Sequence, residues 1–209
     1  MTDSLRLPAI AVLAKAPIPG LAKTRLISRL GPEGAARLQA ALTERAIRTA
    51  LAAGLGPVTL WCAPDSRHPA FAALRRRHGV SLEQQRGADL GARMAHAVAK
   101  QGTRGPVLLI GTDCPALKPD HLRAAATALA DGDDVVLLPA EDGGYVLIGL
   151  KAPQPVLFDG VPWGSERVMD ETRRRLRSQG LRWSERATLW DVDRPEDVDR
   201  LAMVGLLAW

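Results

Sequence analysis

Three groups of side chains have the types and spacing to handle a phosphorylated ligand. The first is Asp113, which follows the apolar run Val107 to Ile110 after Gly111 and Thr112. A short, apolar run that stops at a glycine reads as a buried strand. A carboxylate just beyond the carboxyl end of such a strand lies where open α/β sheets place their ligands. Asp113 is therefore a candidate metal ligand, the alternative being a cap on the turn before Pro115. The second group is Lys15, Lys23 and Arg25, within one loop whose Pro17, Pro19 and Gly20 delay the next helix. Cations gathered at a strand-to-helix junction, beside the unpaired N–H groups of a helix start, make an anion site; the alternative is a solvated turn. The third is Asp191-Val192-Asp193, closing a strand-like run over 181–190. Alternation turns both carboxylates the same way and Val192 into the core, although Asp193 could instead cap a last helix opening at Pro195.

Other features are less specific. Gly87 and Gly91 bracket a helix start, and Gln85 before them offers an amide that can pair with a base edge, although a turn without a ligand has the same form. Tyr145, the one tyrosine, either lines a crevice or covers a strand face. Ala22-Lys23-Thr24 is not a phosphate loop of the GxxxxGK[ST] kind, because Pro17 and Ala22 stand where that motif needs glycine. His68, His78, His96 and His121 form no nucleophile–base arrangement and read as surface or packing residues.

The positioning elements follow from periodicity. Strands are expected at 7–14, 58–62, 80–82, 107–110, 135–138, 146–150 and 181–190. Helices are expected at 32–53, through Leu74, from about Gly91, at 119–130, from Trp163 with Ser165 as N-cap, and from Pro195. The alternating opening requires a parallel sheet with right-handed crossovers. The glycine pair Gly143-Gly144 between two strand-like runs signals a hairpin, hence one antiparallel strand. The proline-bearing segment from Lys151 to Gly164 reads as a flexible acceptor loop.

At 209 residues and 46% hydrophobic, the chain suits a single domain over 1–209. The net charge of +5 suits an anionic small substrate. With 4% aromatics there is little to stack on bases, and the clusters Arg75-Arg76-Arg77 and Arg173-Arg174-Arg175 fall in helical segments, so no nucleic-acid partner is expected. Cys62 and Cys114 fit neither a zinc site nor a disulfide framework. No apolar run approaches the roughly 18 residues of a membrane span. The apolar amino-terminal patch reads as a strand rather than a leader, which makes the expected location cytoplasmic.

Taken together, Lys15-x-Pro17-x-x-Gly20-x-x-Lys23-Thr24-Arg25-Leu26, Gln85-x-Gly87-x-x-Leu90-Gly91-x-Arg93-Met94, Gly111-Thr112-Asp113-Cys114-Pro115, Asp142-Gly143-Gly144-Tyr145, Trp163-Gly164-Ser165 and Asp191-Val192-Asp193-x-Pro195-x-Asp197 resemble the bacterial rSAM/selenodomain-associated transferase 1 family. That family is a branch of the glycosyltransferase-A, or nucleotide-diphospho-sugar transferase, superfamily and is similar to the 2-phospholactate guanylyltransferases. The resemblance implies a three-layer α/β/α sandwich with a mostly parallel, Rossmann-like sheet. It implies nucleotide contacts from Ala14, Lys15, Pro17, Gly20, Lys23, Gln85, Gly87, Leu90, Gly91 and Thr112, with Lys23, Arg25 and Asp113 catalytic. It also implies Mg2+ or Mn2+ on Asp113 with Asp193 or Asp191, and an acceptor site at Asp142, Gly143, Gly144, Tyr145, Trp163 and Ser165. Pro17 and Pro19 replace the glycine-rich loop typical of the superfamily's nucleotidyltransferases, and Gly164 stands where many relatives carry serine. The implied activity is glycosyl transfer from a nucleotide-diphospho-sugar to a small-molecule acceptor. The alternatives are nucleotidyl transfer from a nucleoside triphosphate to a small phosphorylated acceptor, or an inactive nucleotide-binding module, in each case as a monomer or homodimer.

Overall fold

Alternating buried strands and amphipathic helices build the chain, and a computed structural model describes residues 6–203. In chain order the elements are β1 (Ala9–Lys15), α1 (Ile27–Ala52), β2 (Val58–Ala63), α2 (Pro69–His78), β3 (Ser81–Gln84), α3 (Leu90–Gln101) and β4 (Val107–Ile110). They continue with α4 (Pro119–Ala130), β5 (Val135–Pro139), β6 (Tyr145–Leu150), α5 (Val168–Ser178), β7 (Trp183–Glu185) and α6 (Pro195–Met203). The seven strands form one sheet in the order β3-β2-β1-β4-β6-β5-β7. Only β6 runs against its neighbours, pairing antiparallel with both β4 and β5.

Strand alternation divides the core. In β1, Ile10, Val12 and Ala14 face a cluster shared with Ile47 of α1, Phe71 of α2 and Leu122 of α4. Ala11 and Leu13 face the opposite cluster with Met94 of α3 and Met169 and Leu176 of α5. Helices thus cover both faces, as a mostly parallel sheet requires. A third cluster joins Leu38 and Leu42 of α1 to Val192 and to Val198 and Leu201 of α6.

Three local expectations need correction. The expected strand over 181–190 breaks into β7 and a separate bridge from Leu189 to Ala140, because only these two pieces meet β5 and the segment beyond it. The helix expected from Trp163 begins at Val168, and Ser165 is not its cap: its hydroxyl donates to the Pro162 carbonyl and accepts from the N–H of Arg167, closing a turn. Asp193 does not cap α6; the carboxylate of Asp197 accepts from the backbone N–H groups of Asp193 and Arg194 instead.

The sheet turns at the β1–β4 pair, since β2 and β3 lie to one side of β1 and β4, β6, β5 and β7 to the other. Crossovers leave in opposite directions there and open a crevice beyond the carboxyl ends of β1 and β4. Because β6 is reversed, its first residue, Tyr145, reaches that same edge. Among the described residues, no helix is long and apolar enough to cross a membrane.

Candidate functional site

Beyond that edge lies a cleft of about 700 Å3. Buried Val192 pins one wall: its N–H donates to the Asp113 carbonyl at 2.8 Å. Lys23 closes the arrangement, its Nζ lying 2.8 Å from Asp113 Oδ1 and donating to the Val192 carbonyl at 2.5 Å, with its side chain only 4% exposed. The backbone of Lys23 is left-handed (φ 47°), a conformation that costs an L-residue about 1 kcal/mol or more. Arg25 pairs with Asp193.

Asp113 is further oriented from behind. Gln39 of α1, almost wholly buried, donates from Nε2 to Thr112 Oγ1 at 3.1 Å, and Thr112 Oγ1 donates to Asp113 Oδ1 at 3.2 Å. Arg45 Nε holds the Pro115 carbonyl at 2.9 Å, fixing the same loop. Cys114 lies beside Asp113, but burial pushes its thiol up to about 12, so it stays protonated and unreactive.

Beside Lys23 and Arg25 the cleft gathers carboxylates from several loops. Asp113, Asp142, Asp191 and Asp193 all line it. Burial first, then the charges of Asp142 and Asp113, raise the Asp191 carboxyl to about 6. Carboxylates forced together in this way, with oxygen donors alone, fit a hard divalent cation. Among the described residues no three His, Cys, Asp or Glu side chains form a ready-made cage. Mg2+ takes few protein ligands and completes its shell with water and phosphate, so Asp113 with Asp191 or Asp193 is a sufficient donor set.

Most of the residues singled out from the sequence meet here. Ala14, Lys15, Lys23, Arg25, Gln85, Leu90 and Thr112 line the cleft towards β1 and α3. Gly144, Tyr145, Trp163 and Ser165 line it towards β6 and α5. Pro17, Gly20, Gly87, Gly91 and Gly143 do not line it. Gly91 is a packing position: a Cβ there would stand 2.3 Å from Trp163 Nε1 and from the Phe158 carbonyl oxygen. Gly143 sits against the Glu166 backbone, where a Cβ would approach to 2.2 Å. Both glycines let the loop over 155–167 close onto the site.

Two side-chain readings become definite. Gln85 does not present its amide N–H groups to a ligand, because Nε2 donates to the carbonyls of Ala14 at 3.0 Å and Trp61 at 2.8 Å. Tyr145 does both things asked of it: its ring lies edge-on to Trp163 with centroids 6.1 Å apart, and it lines the cleft, with a buried hydroxyl that finds no partner among the described residues. Sequence reasoning passes over Gln39, Arg93 and Leu21 as site residues, and all three line the cleft. A glutamine on the apolar face of α1, one residue after Leu38, is the available signal for the first. The second arginine run is paired within the chain: Arg173 with Asp170 and Glu185, and Arg174 and Arg175 with Glu171.

Known proteins resemble this chain in sequence and in fold. A phosphoenolpyruvate guanylyltransferase of Chloroflexus aggregans is 28% identical over 167 residues, covering 77% of this chain and 81% of its own. A crystal structure from Desulfovibrio desulfuricans G20, provisionally described as a nucleotide-diphospho-sugar transferase, superposes with a TM-score of 0.86 at 28% identity over 98% of this chain and 90% of that one. The fold is also that of CMP:2-keto-3-deoxy-manno-octonic acid synthetase complexed with CTP, at a TM-score of 0.58 and 15% identity over 95% of this chain and 98% of that one. The model of the bacterial family described as "uncharacterized protein conserved in bacteria" matches residues 46–165, more than half of the sequence and the stretch from α1 to the turn at Ser165, and the chain belongs to that family, DUF2064.

Proposed function

We propose that the chain moves a nucleoside monophosphate, most simply GMP, from its triphosphate to a small phosphorylated acceptor. It is a nucleotide-dependent transferase whichever group it moves. The observation that carries the nucleotidyl reading is the pairing of a buried ammonium, Lys23, with Asp113 in a cleft lined by further carboxylates. The guanylyltransferase relative supports it.

In this reading a phosphate oxygen of the acceptor attacks the α-phosphorus, the bond from that phosphorus to the β-phosphate bridging oxygen breaks, and pyrophosphate leaves. No protein nucleophile is needed; positioning and charge neutralisation suffice. Lys15, Lys23 and Arg25 draw the phosphates to the β1 loop. Asp113, with Asp191 or Asp193, would hold Mg2+ or Mn2+, which supplies neutralisation of the anionic leaving group. Asp142 and Asp191 would repel an anionic acceptor unless that cation stood between them, so acceptor and metal are expected to bind together. Tyr145, Trp163 and the Gly143-Gly144 turn shape the acceptor side. A nucleoside triphosphate donor suits a cytoplasmic location.

The test is product analysis with GTP, Mg2+ and a panel of small phosphorylated carboxylates of the phosphoenolpyruvate type. Acceptor-dependent pyrophosphate release is expected. The second reading, glycosyl transfer, is supported by the description of the Desulfovibrio structure; it predicts a nucleoside diphosphate released from a nucleotide sugar and no pyrophosphate from any triphosphate, and that outcome would replace the first.

A further inference from the structure

The β3–α3 side of the cleft combines features that nucleotide-phosphate chemistry leaves unused. Leu90 of α3 and Leu21 of the loop after β1 both line the cleft and remain 46% and 67% exposed, although large apolar side chains elsewhere in the chain are mostly buried. Two leucines open to solvent within one concave site suit the faces of a flat ring. Gln85, just after β3, also lines the cleft. Its orientation follows from chemistry: two backbone carbonyls receive its N–H groups, so the NH2 must point to them and Oε1, which accepts from no group among the described residues, is what it has left to offer. Arg93, in the first turn of α3, also lines the cleft. Its Nε donates to the Gly87 carbonyl at 3.2 Å, which anchors the guanidinium, and among the described residues no carboxylate pairs with its two terminal nitrogens.

A locked acceptor and an anchored, unpaired donor fork, flanked by apolar walls, are a complementary reading head for one base. Guanine presents O6 and N7 as adjacent acceptors, matching an arginine fork, while its N1–H and N2–H2 are donors for a carbonyl oxygen. Adenine puts an amino group where the fork needs O6. Resting on the guanylyl reading above, we infer that Arg93 selects guanine by a bidentate contact to O6 and N7, and that Gln85 Oε1 accepts from the other edge of the base between Leu21 and Leu90. Arg93 is on this account a specificity-determining residue that touches the donor nucleotide, remote from the transferring phosphorus.

Equilibrium binding of GTP, ITP and ATP to the full chain with Mg2+, for the wild type, Arg93→Ala and Arg93→Lys, tests this. ITP keeps O6, N7 and N1–H but lacks the 2-amino group. Wild type is expected to bind GTP at least tenfold more tightly than ATP, with ITP close to GTP. Arg93→Ala should weaken GTP and ITP by roughly tenfold to a hundredfold and leave ATP unchanged, and Arg93→Lys, which keeps charge but not the fork, should not restore the preference. Equal weakening of all three nucleotides would make Arg93 a phosphate or packing residue and overturn the inference, while leaving a GTP-selective wild type and the guanylyl reading in place. Unchanged GTP affinity in Arg93→Ala would overturn it as well. A wild type that binds none of the three, or prefers ATP, overturns both.

Discussion

Lys23 Nζ stands 2.8 Å from Asp113 Oδ1 while also holding the Val192 carbonyl, so one ammonium joins the loop after β1 to two carboxylate-bearing loops of the cleft. Its backbone is left-handed, which glycine adopts without cost. Lys23→Gly therefore removes the charge while relieving the backbone. Turnover is expected to fall by about a hundredfold or more, in line with the loss of one preorganised charge donor, with the thermal midpoint within a few degrees of wild type. Retained turnover in a folded variant would exclude Lys23 from charge neutralisation.

Asp113→Asn keeps the shape and the Thr112 contact but removes the charge. With nucleotide present, wild type should show a rise in melting temperature when Mg2+ or Mn2+ is added, by mass action on the native state. The variant should lose that metal-dependent rise together with turnover. A rise of the same size in Asp113→Asn would mean that the cation is held elsewhere.

Gln39 acts on the site at one remove, through Thr112. Gln39→Leu fills similar volume and fits the apolar face of α1, but leaves Thr112 Oγ1 free to turn away from Asp113. About a tenfold fall in kcat is expected, with KM for the nucleotide nearly unchanged and little loss of stability. Gln39→Glu, which puts an acceptor where Thr112 needs a donor, should not rescue it. A merely structural role would instead show as a lowered melting temperature with normal kcat.

Asp191 gives a pH dependence whose sign can be worked out. Its carboxyl is raised to about 6 in the fold, above its ordinary value, so ionising it costs the native state more than the unfolded chain. The protonated form is tolerated below about pH 4; the penalty grows as pH rises towards 6 and is complete above it. In chelator, Asp191→Asn should therefore melt roughly 2–4 °C above wild type at pH 8 and level with it near pH 4. Scanning calorimetry at the two pH values decides this, and equal differences at both would refute the assignment of the shift.

Much of the fold and of the cleft is legible in the sequence because strong local signals coincide with function. The VLLI run ending at Gly111 puts Asp113 at a strand end whatever lies around it, and the Gly143-Gly144 pair announces the reversed strand. The features that escape a sequence reading depend on partners distant along the chain. Gln39 looks like a packing residue because periodicity reports which face is buried, not which buried residue is polar, and its partner Thr112 lies in another element. Which end of the Gln85 amide faces the cleft is not legible, because nothing local shows that the Ala14 and Trp61 carbonyls consume its N–H groups. The run over 181–190 reads as one strand because alternation describes an extended segment equally well whether or not a neighbour pairs with all of it.

The bond from the Val192 N–H to the Asp113 carbonyl has a consequence for how the molecule comes into being. Translation delivers β1 to β6, and with them the Lys23 and Asp113 loops, before residue 151 has been made. The carbonyl that receives the Lys23 ammonium and the two carboxylates of Asp191 and Asp193 arrive some forty residues later. A ribosome-bound nascent chain can thus make six of its seven strands while its cleft still lacks the lining from Trp163, Ser165, Asp191 and Asp193. Competence is therefore acquired only once residue 193 has been made, well after most of the sheet.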